Sequence, residues 1–147
     1  MRNLKVIISL VISALLLGSC SSPSPELDLS QCTPQQSQEI KNHITKQIDA
    51  IAQGNWPLAY SLSAKSFQEA ISLDQFKQVI SQQYLFLIFN DGFGFGKCAK
   101  SDTGFNQVVS VDFQGKKREL SYELSLIDDR LGVVSANEIQ ALNSQVT

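Results

Sequence analysis

This 147-residue chain is poor in the groups from which most active sites are built. It has one histidine, one tryptophan, one methionine and four prolines. A single histidine excludes the multi-histidine metal centres, and no Cys-x-x-Cys or Cys/His spacing supplies an alternative. No cofactor-binding motif is present. Twelve basic residues against fourteen acidic give a net charge of −2, without the basic excess of a nucleic-acid binder. The basic cluster Lys116, Lys117 and Arg118 falls at an expected turn and reads as a solvated tip. No apolar run reaches the roughly 20 residues needed to span a bilayer as a helix. No internal repeat divides the chain.

The N-terminus is the most informative segment. Arg2 and Lys5 precede an apolar run from Val6 to Leu17 that only Ser9 and Ser13 interrupt. A positive leader before a short apolar core matches a secretory signal peptide. Leu17-Gly18-Ser19-Cys20 then resembles the bacterial lipobox. That resemblance implies a signal peptide over 1–19, cleavage before Cys20, and a lipid thioether on Cys20. Two or three acyl chains hold a protein stably at a membrane where one does not. Loss of Arg2 and Lys5 on cleavage would take the net charge from −2 to −4. Residue 21 is Ser rather than the Asp that retains many lipoproteins at the inner membrane. The expected location is therefore the cell envelope, on the periplasmic face if the cell is Gram-negative, with outer-membrane delivery permitted.

Residues 20–31 are polar and contain Pro23 and Pro25, so they read as an extended tether. About ten residues of polyproline-like chain reach on the order of 30 Å. The remainder, 32–147, has the length of one small domain. In an oxidising compartment Cys32 and Cys98 suggest one disulfide, although two unrelated thiols would fit the sequence as well.

Within the domain, Thr33-Pro34 and Gln36 form a capping box at a helix start. Ile40, Ile44, Ile48 and Ile51 line one face of that helix, and Gly54 ends it. Asn55-Trp56-Pro57 opens a second helix, and Ser66 to Ala70 adds another turn. Ser72 and Gln75 cap a further helix carrying Leu73, Phe76, Val79 and Ile80. Tyr84 to Phe89, apolar on both faces and followed by Asn90-Asp91-Gly92, reads as a buried strand. Phe93 and Phe95 alternate with glycines, placing both rings on one side of the next strand. Phe105, Gln107, Val109, Val111 and Phe113 share the inward face of another. Leu120, Tyr122, Leu124 and Leu126 alternate with polar residues in the clearest period-two signal of the chain. A turn over Asp128–Gly132 and a strand from Val133 to Ile139 complete the pattern. Helices followed by about five strands predict an α+β fold, with helices packed on one face of an antiparallel sheet.

The stretch from Ile48 through Gly54-Asn55-Trp56-Pro57 to Ala59-Tyr60 resembles the opening of the nuclear transport factor 2-like superfamily. Gln107-Val108-Val109 and Tyr122-Glu123-Leu124 are similar to strands of a bacterial family of unknown function within it. The resemblance implies a cystatin-like cone in which a curved sheet and helices enclose a pocket or a filled core. That family commonly ends in a Gly-x-Trp-x-Ile strand, whereas here Gly132-Val133-Val134 lacks the tryptophan.

Candidate pocket residues are Gln47, Trp56, Tyr60, Tyr84 and Tyr122. Gln47 falls near the isoleucine stripe and can bind a ligand or cap a strand end. The tyrosines are either core residues with tethered hydroxyls or pocket donors. Trp56 either packs under the helix turn or lines the cone mouth. His43 lies on the helix flank, half-exposed. Ketosteroid-isomerase-like chemistry, the enzymatic alternative, needs a carboxylate base in an apolar site. Asp112, Glu119 and Glu123 fall on the outward phase, so no catalytic residue is nominated. The expected function is non-enzymatic binding of a small apolar ligand or an envelope protein, with a homodimer also compatible.

Overall fold

The computed structural model describes residues 30–139. The expected signal peptide, Cys20, most of the expected tether and the polar tail lie outside the described residues. The helix α1 (Pro34–Ala52) starts with the expected reciprocal cap, in which Thr33 and Gln36 each accept the other's backbone N–H. Ile40, Ile44, Ile48 and Ile51 are all but inaccessible to solvent. Burying one such side chain is worth roughly 1.5–3 kcal/mol, so this stripe fixes the helix against the sheet. The helix α2 (Trp56–Ser61) is capped by Asn55, α3 (Lys65–Ala70) follows, and α4 (Leu73–Gln83) carries the Ser72/Gln75 capping box. Val79 is more exposed than its place on the apolar stripe suggested, because it borders a cleft described below.

Tyr84 to Phe89 is not a strand. Leu85–Ile88 forms a helical turn, α5, and Tyr84 serves as the C-cap of α4 and the N-cap of α5. Its apolar residues are divided between two environments. Phe86 and Leu87 are buried in the core, while Leu85 and Phe89 face solvent.

The sheet therefore has four strands, not five: β1 (Gly92–Ser101), β2 (Gly104–Phe113), β3 (Lys116–Ile127) and β4 (Arg130–Glu138). They pair antiparallel in the order β1-β2-β3-β4, a meander. Each hairpin loop has two residues. Gln114-Gly115 and Asp128-Asp129 both take positive φ at the two central positions, the geometry that suits the strand twist. The final turn is thus shorter than the sequence suggested, and β4 begins at Arg130.

The inner face carries Phe105, Gln107, Val109 and Val111 of β2, Leu120, Tyr122 and Leu124 of β3, and Val133 of β4. These meet the α1 isoleucines, Phe76 of α4, and Phe86 and Leu87 of α5 in one core. The rings of Phe93 and Phe95 lie edge to face, 5.9 Å apart, on one side of β1 as their spacing predicts. The period-two pattern of β3 breaks near its end. Ser125 is buried and Leu126 exposed, just beyond a bulge opposite Glu123 and Leu124.

Gln107 shows how a polar residue belongs in this core. The β1–β2 register shifts between Phe95 and Cys98, leaving Gly96 and Lys97 outside the ladder. The Gln107 Nε2 donates to the carbonyls of Gly96, Lys97 and Val108 at 3.0, 3.3 and 2.8 Å. It supplies the donors that the bulge withdraws, so a glutamine fits where a leucine would leave acceptors unmatched.

Cys32 and Cys98 form a disulfide, with Cα atoms 5.5 Å apart. It joins the segment before α1 to β1. Beside it Gln31 bridges Ala99, and the Lys100 N–H donates to Ser30 O.

Candidate functional site

Among the concavities on the described residues are three of note. The largest, ≈ 780 Å³, lies open at the β1–β2 hairpin end and includes Lys100, Asp102 and Glu123. A second, ≈ 260 Å³, separates the α2–α3 connection from the β3–β4 hairpin and includes Lys65, Asp128 and Arg130. The third, ≈ 220 Å³, lies between α1, α4 and β4, and it alone of the three has no charged residue in its lining. It also brings together two sequence candidates, Gln47 and Tyr84.

The chain reaches this cleft through a strap. Residues 62–64 run beside β4, where Ser63 bridges Val133 in parallel. The Ala64 N–H donates to Val133 O at 2.8 Å, and the Val133 N–H donates to Leu62 O at 3.1 Å. Helix α1 holds the strap from beneath. The His43 Nε2 donates to Leu62 O at 2.8 Å. The Gln47 Nε2 donates to Ala59 O at 3.1 Å and Ser63 Oγ at 3.3 Å. Gln47 thus does what its place near the stripe allowed: it is buried, yet it touches the cleft wall.

From α4 come Phe76, Val79 and Ile80, with Phe67 of α3 beside them. Tyr84, at the end of α4, donates its hydroxyl to Ala136 O at 2.9 Å. Ser135 and Asn137 border the cleft from β4, but their side chains lie with Glu123 and Ser121 on the other face of the sheet. The polar side chains facing the cleft are therefore Gln47, Ser63 and Tyr84.

The other candidates lie elsewhere. The Tyr60 hydroxyl contacts Gln68 O and Ile71 O at 3.0 and 2.6 Å, tying α2 to the C-terminal half of α3 and its C-cap. Trp56 sits beside Gly54 under the helix turn, with the Lys77 ammonium 5.9 Å from its ring. Tyr122 lies in the core, opposite Gln107 and Ala136 on the flanking strands. Burial, with Tyr84 nearby adding to it, pushes the Tyr122 hydroxyl well above the ordinary tyrosine range. Ser63 carries no signal in the sequence, because it enters the wall only through the strap's pairing with β4.

The Tyr122 hydroxyl makes stability depend on pH in the alkaline range. The folded protein retains a proton that the unfolded chain releases near pH 10. Its stabilising effect is complete below pH 10 and falls as pH rises above it, by about 1.4 kcal/mol per pH unit. Urea unfolding between pH 9 and 11 should show this extra slope in the native chain and lose it in Tyr122→Phe. Equal slopes would show that the hydroxyl titrates with similar ease in both states.

Among the described residues no group of three or more His, Cys, Asp or Glu could hold a metal ion. None of the described helices is long and apolar enough to cross a membrane. The fold and the cleft define a small α+β domain, helices over one face of an antiparallel meander, with an uncharged recess beside the last strand. The chain belongs to the family described as domain of unknown function DUF4864, whose model matches residues 33–145. No curated protein and no solved structure matches it.

Proposed function

We propose that this chain is a cell-envelope lipoprotein, anchored through Cys20, whose domain is a binding module rather than an enzyme. In this reading the domain is a nuclear transport factor 2-like cone, and the segment from Cys20 up to Ser30, which is itself paired to β1, holds it off the membrane. The observation that carries the binding reading is the third cleft. An apolar recess with a few fixed polar groups suits a small ligand. The disulfide supports export, because such bonds persist in oxidising compartments. The ketosteroid-isomerase-like alternative requires a carboxylate base in the recess, and no lining residue is charged.

Two measurements test the proposal. Metabolic palmitate labelling should mark the native chain and not Cys20→Ser; label retained by the variant would remove the anchor. Native mass spectrometry of the chain purified from its own envelope should show a bound small molecule. Release of only bare chain would count against a binding module.

A further inference from the structure

We infer that the cleft between α1, α4 and β4 binds a small, uncharged, ring-sized molecule that offers a hydrogen-bond donor, such as a phenol or an indole. This rests on the binding reading above and specifies its ligand.

The first ground is charge. None of the twelve residues around the recess is Asp, Glu, Lys, Arg or His. An ion entering it would give up hydration with no counter-charge to meet it, at a cost of several kcal/mol. Carboxylates, phosphates and ammonium ions are thereby disfavoured.

The second ground is the direction of the hydrogen bonds. The Gln47 Nε2 protons are directed to Ala59 O and Ser63 Oγ, so the acceptor Oε1 is what this side chain has left to offer. The Tyr84 proton is directed to Ala136 O, leaving the lone pairs of its oxygen. Only Ser63 retains an uncommitted proton. A ligand with an O–H or N–H complements this wall, whereas a pure acceptor competes for that one proton.

The third ground is size. An apolar cavity of about 150 Å³ takes up benzene. A recess of ≈ 220 Å³ walled by Phe67, Phe76 and Ile80 has room for a ring with one polar substituent.

The test is titration of the full chain with phenol, indole, toluene, benzoate and benzylamine, followed by saturation-transfer and amide-shift nuclear magnetic resonance at pH 7. Phenol and indole should bind at least tenfold more tightly than benzoate or benzylammonium, with shifts centred on 133–137. Toluene should bind more weakly than phenol, by up to about tenfold for one lost hydrogen bond. Tyr84→Phe should narrow the gap between phenol and toluene. Val79→Phe, at the half-open rim, should block both without unfolding the chain. Equal binding of benzoate and phenol would overturn the charge argument, and equal binding of toluene and phenol the donor argument. A co-purifying molecule that phenol does not displace and Val79→Phe does not exclude would overturn the cleft while sparing the binding reading. Failure of every probe, with bare chain from the envelope, would sink both.

Discussion

Removing the disulfide, as Cys32→Ser with Cys98→Ser, should lower the unfolding free energy by about 4 kcal/mol, among the largest losses available to a conservative change in this domain. The bridge joins positions 66 residues apart. Chain-entropy reasoning assigns a loop of that length about 4 kcal/mol, by restricting the unfolded ensemble. Little in the folded state opposes the loss. The Cys32 N–H donates to Cys98 O at 3.4 Å, Gln31 bridges Ala99, and Lys100 bonds Ser30, so the segment remains attached to β1 by backbone contacts. The folded domain should therefore keep its spectrum while its midpoint falls. The denaturant slope should rise as well, because an uncrosslinked chain exposes more surface on unfolding. Urea titration of both forms, and of the native chain with and without reductant, measures each quantity. A loss under 1 kcal/mol with an unchanged slope would show that the reduced unfolded chain keeps the two segments together by other means.

The parts of the fold set by local chemistry were legible in the sequence. Thr33 with Gln36 and Ser72 with Gln75 mark two helix starts because each pair satisfies backbone donors that any helix leaves open. The isoleucine stripe and the alternation from Leu120 to Leu124 identify buried faces because period and burial coincide there. Tyr84 to Phe89 failed for an opposite reason. Six consecutive apolar residues have no period to read, and a short run of this kind suits a buried strand and a buried helical turn equally. Wedged between α4 and the sheet, the segment buries Phe86 and Leu87 and leaves Leu85 and Phe89 outside. Leu126 failed because alternation continues in the sequence after β3 has run beyond the core. The cleft was only half legible. Gln47 was marked by its unusual place near an apolar stripe, and Tyr84 only as a tyrosine whose hydroxyl suits either a tethered core residue or a pocket donor. Ser63 reaches the site through a tertiary pairing that no local pattern encodes.

That same pairing explains a glycine that looked like part of a turn. Asp128 and Asp129 make the turn by themselves, and Gly132 lies in the ladder opposite Ser125. It is needed for closeness. A Cβ built there would come within 2.5 Å of Ala64 Cα and 2.8 Å of Ala64 N. Both are backbone atoms, so no rotamer change relieves the contact, and the strap must move away from β4. Gly132→Ala should therefore cost about 2–3 kcal/mol, at the upper part of the range for overpacking. The damage should be local before it is global. The bonds between Val133 and residues 62 and 64 lie next to the clash, and Ser63 would leave the cleft wall with them. Amide hydrogen exchange should show lost protection at Ala64 and Val133, with Val109 and Leu120 kept in the core. Ala64→Gly removes only the Cβ, 3.1 Å from the new one, and leaves the backbone contacts in place, so it should restore little. Full recovery in the double variant would mean that side chains, not the strap backbone, set the approach. An unchanged midpoint in Gly132→Ala would mean that the strap can retreat freely, and the cleft would then lack the fixed wall that the proposed ligand site requires.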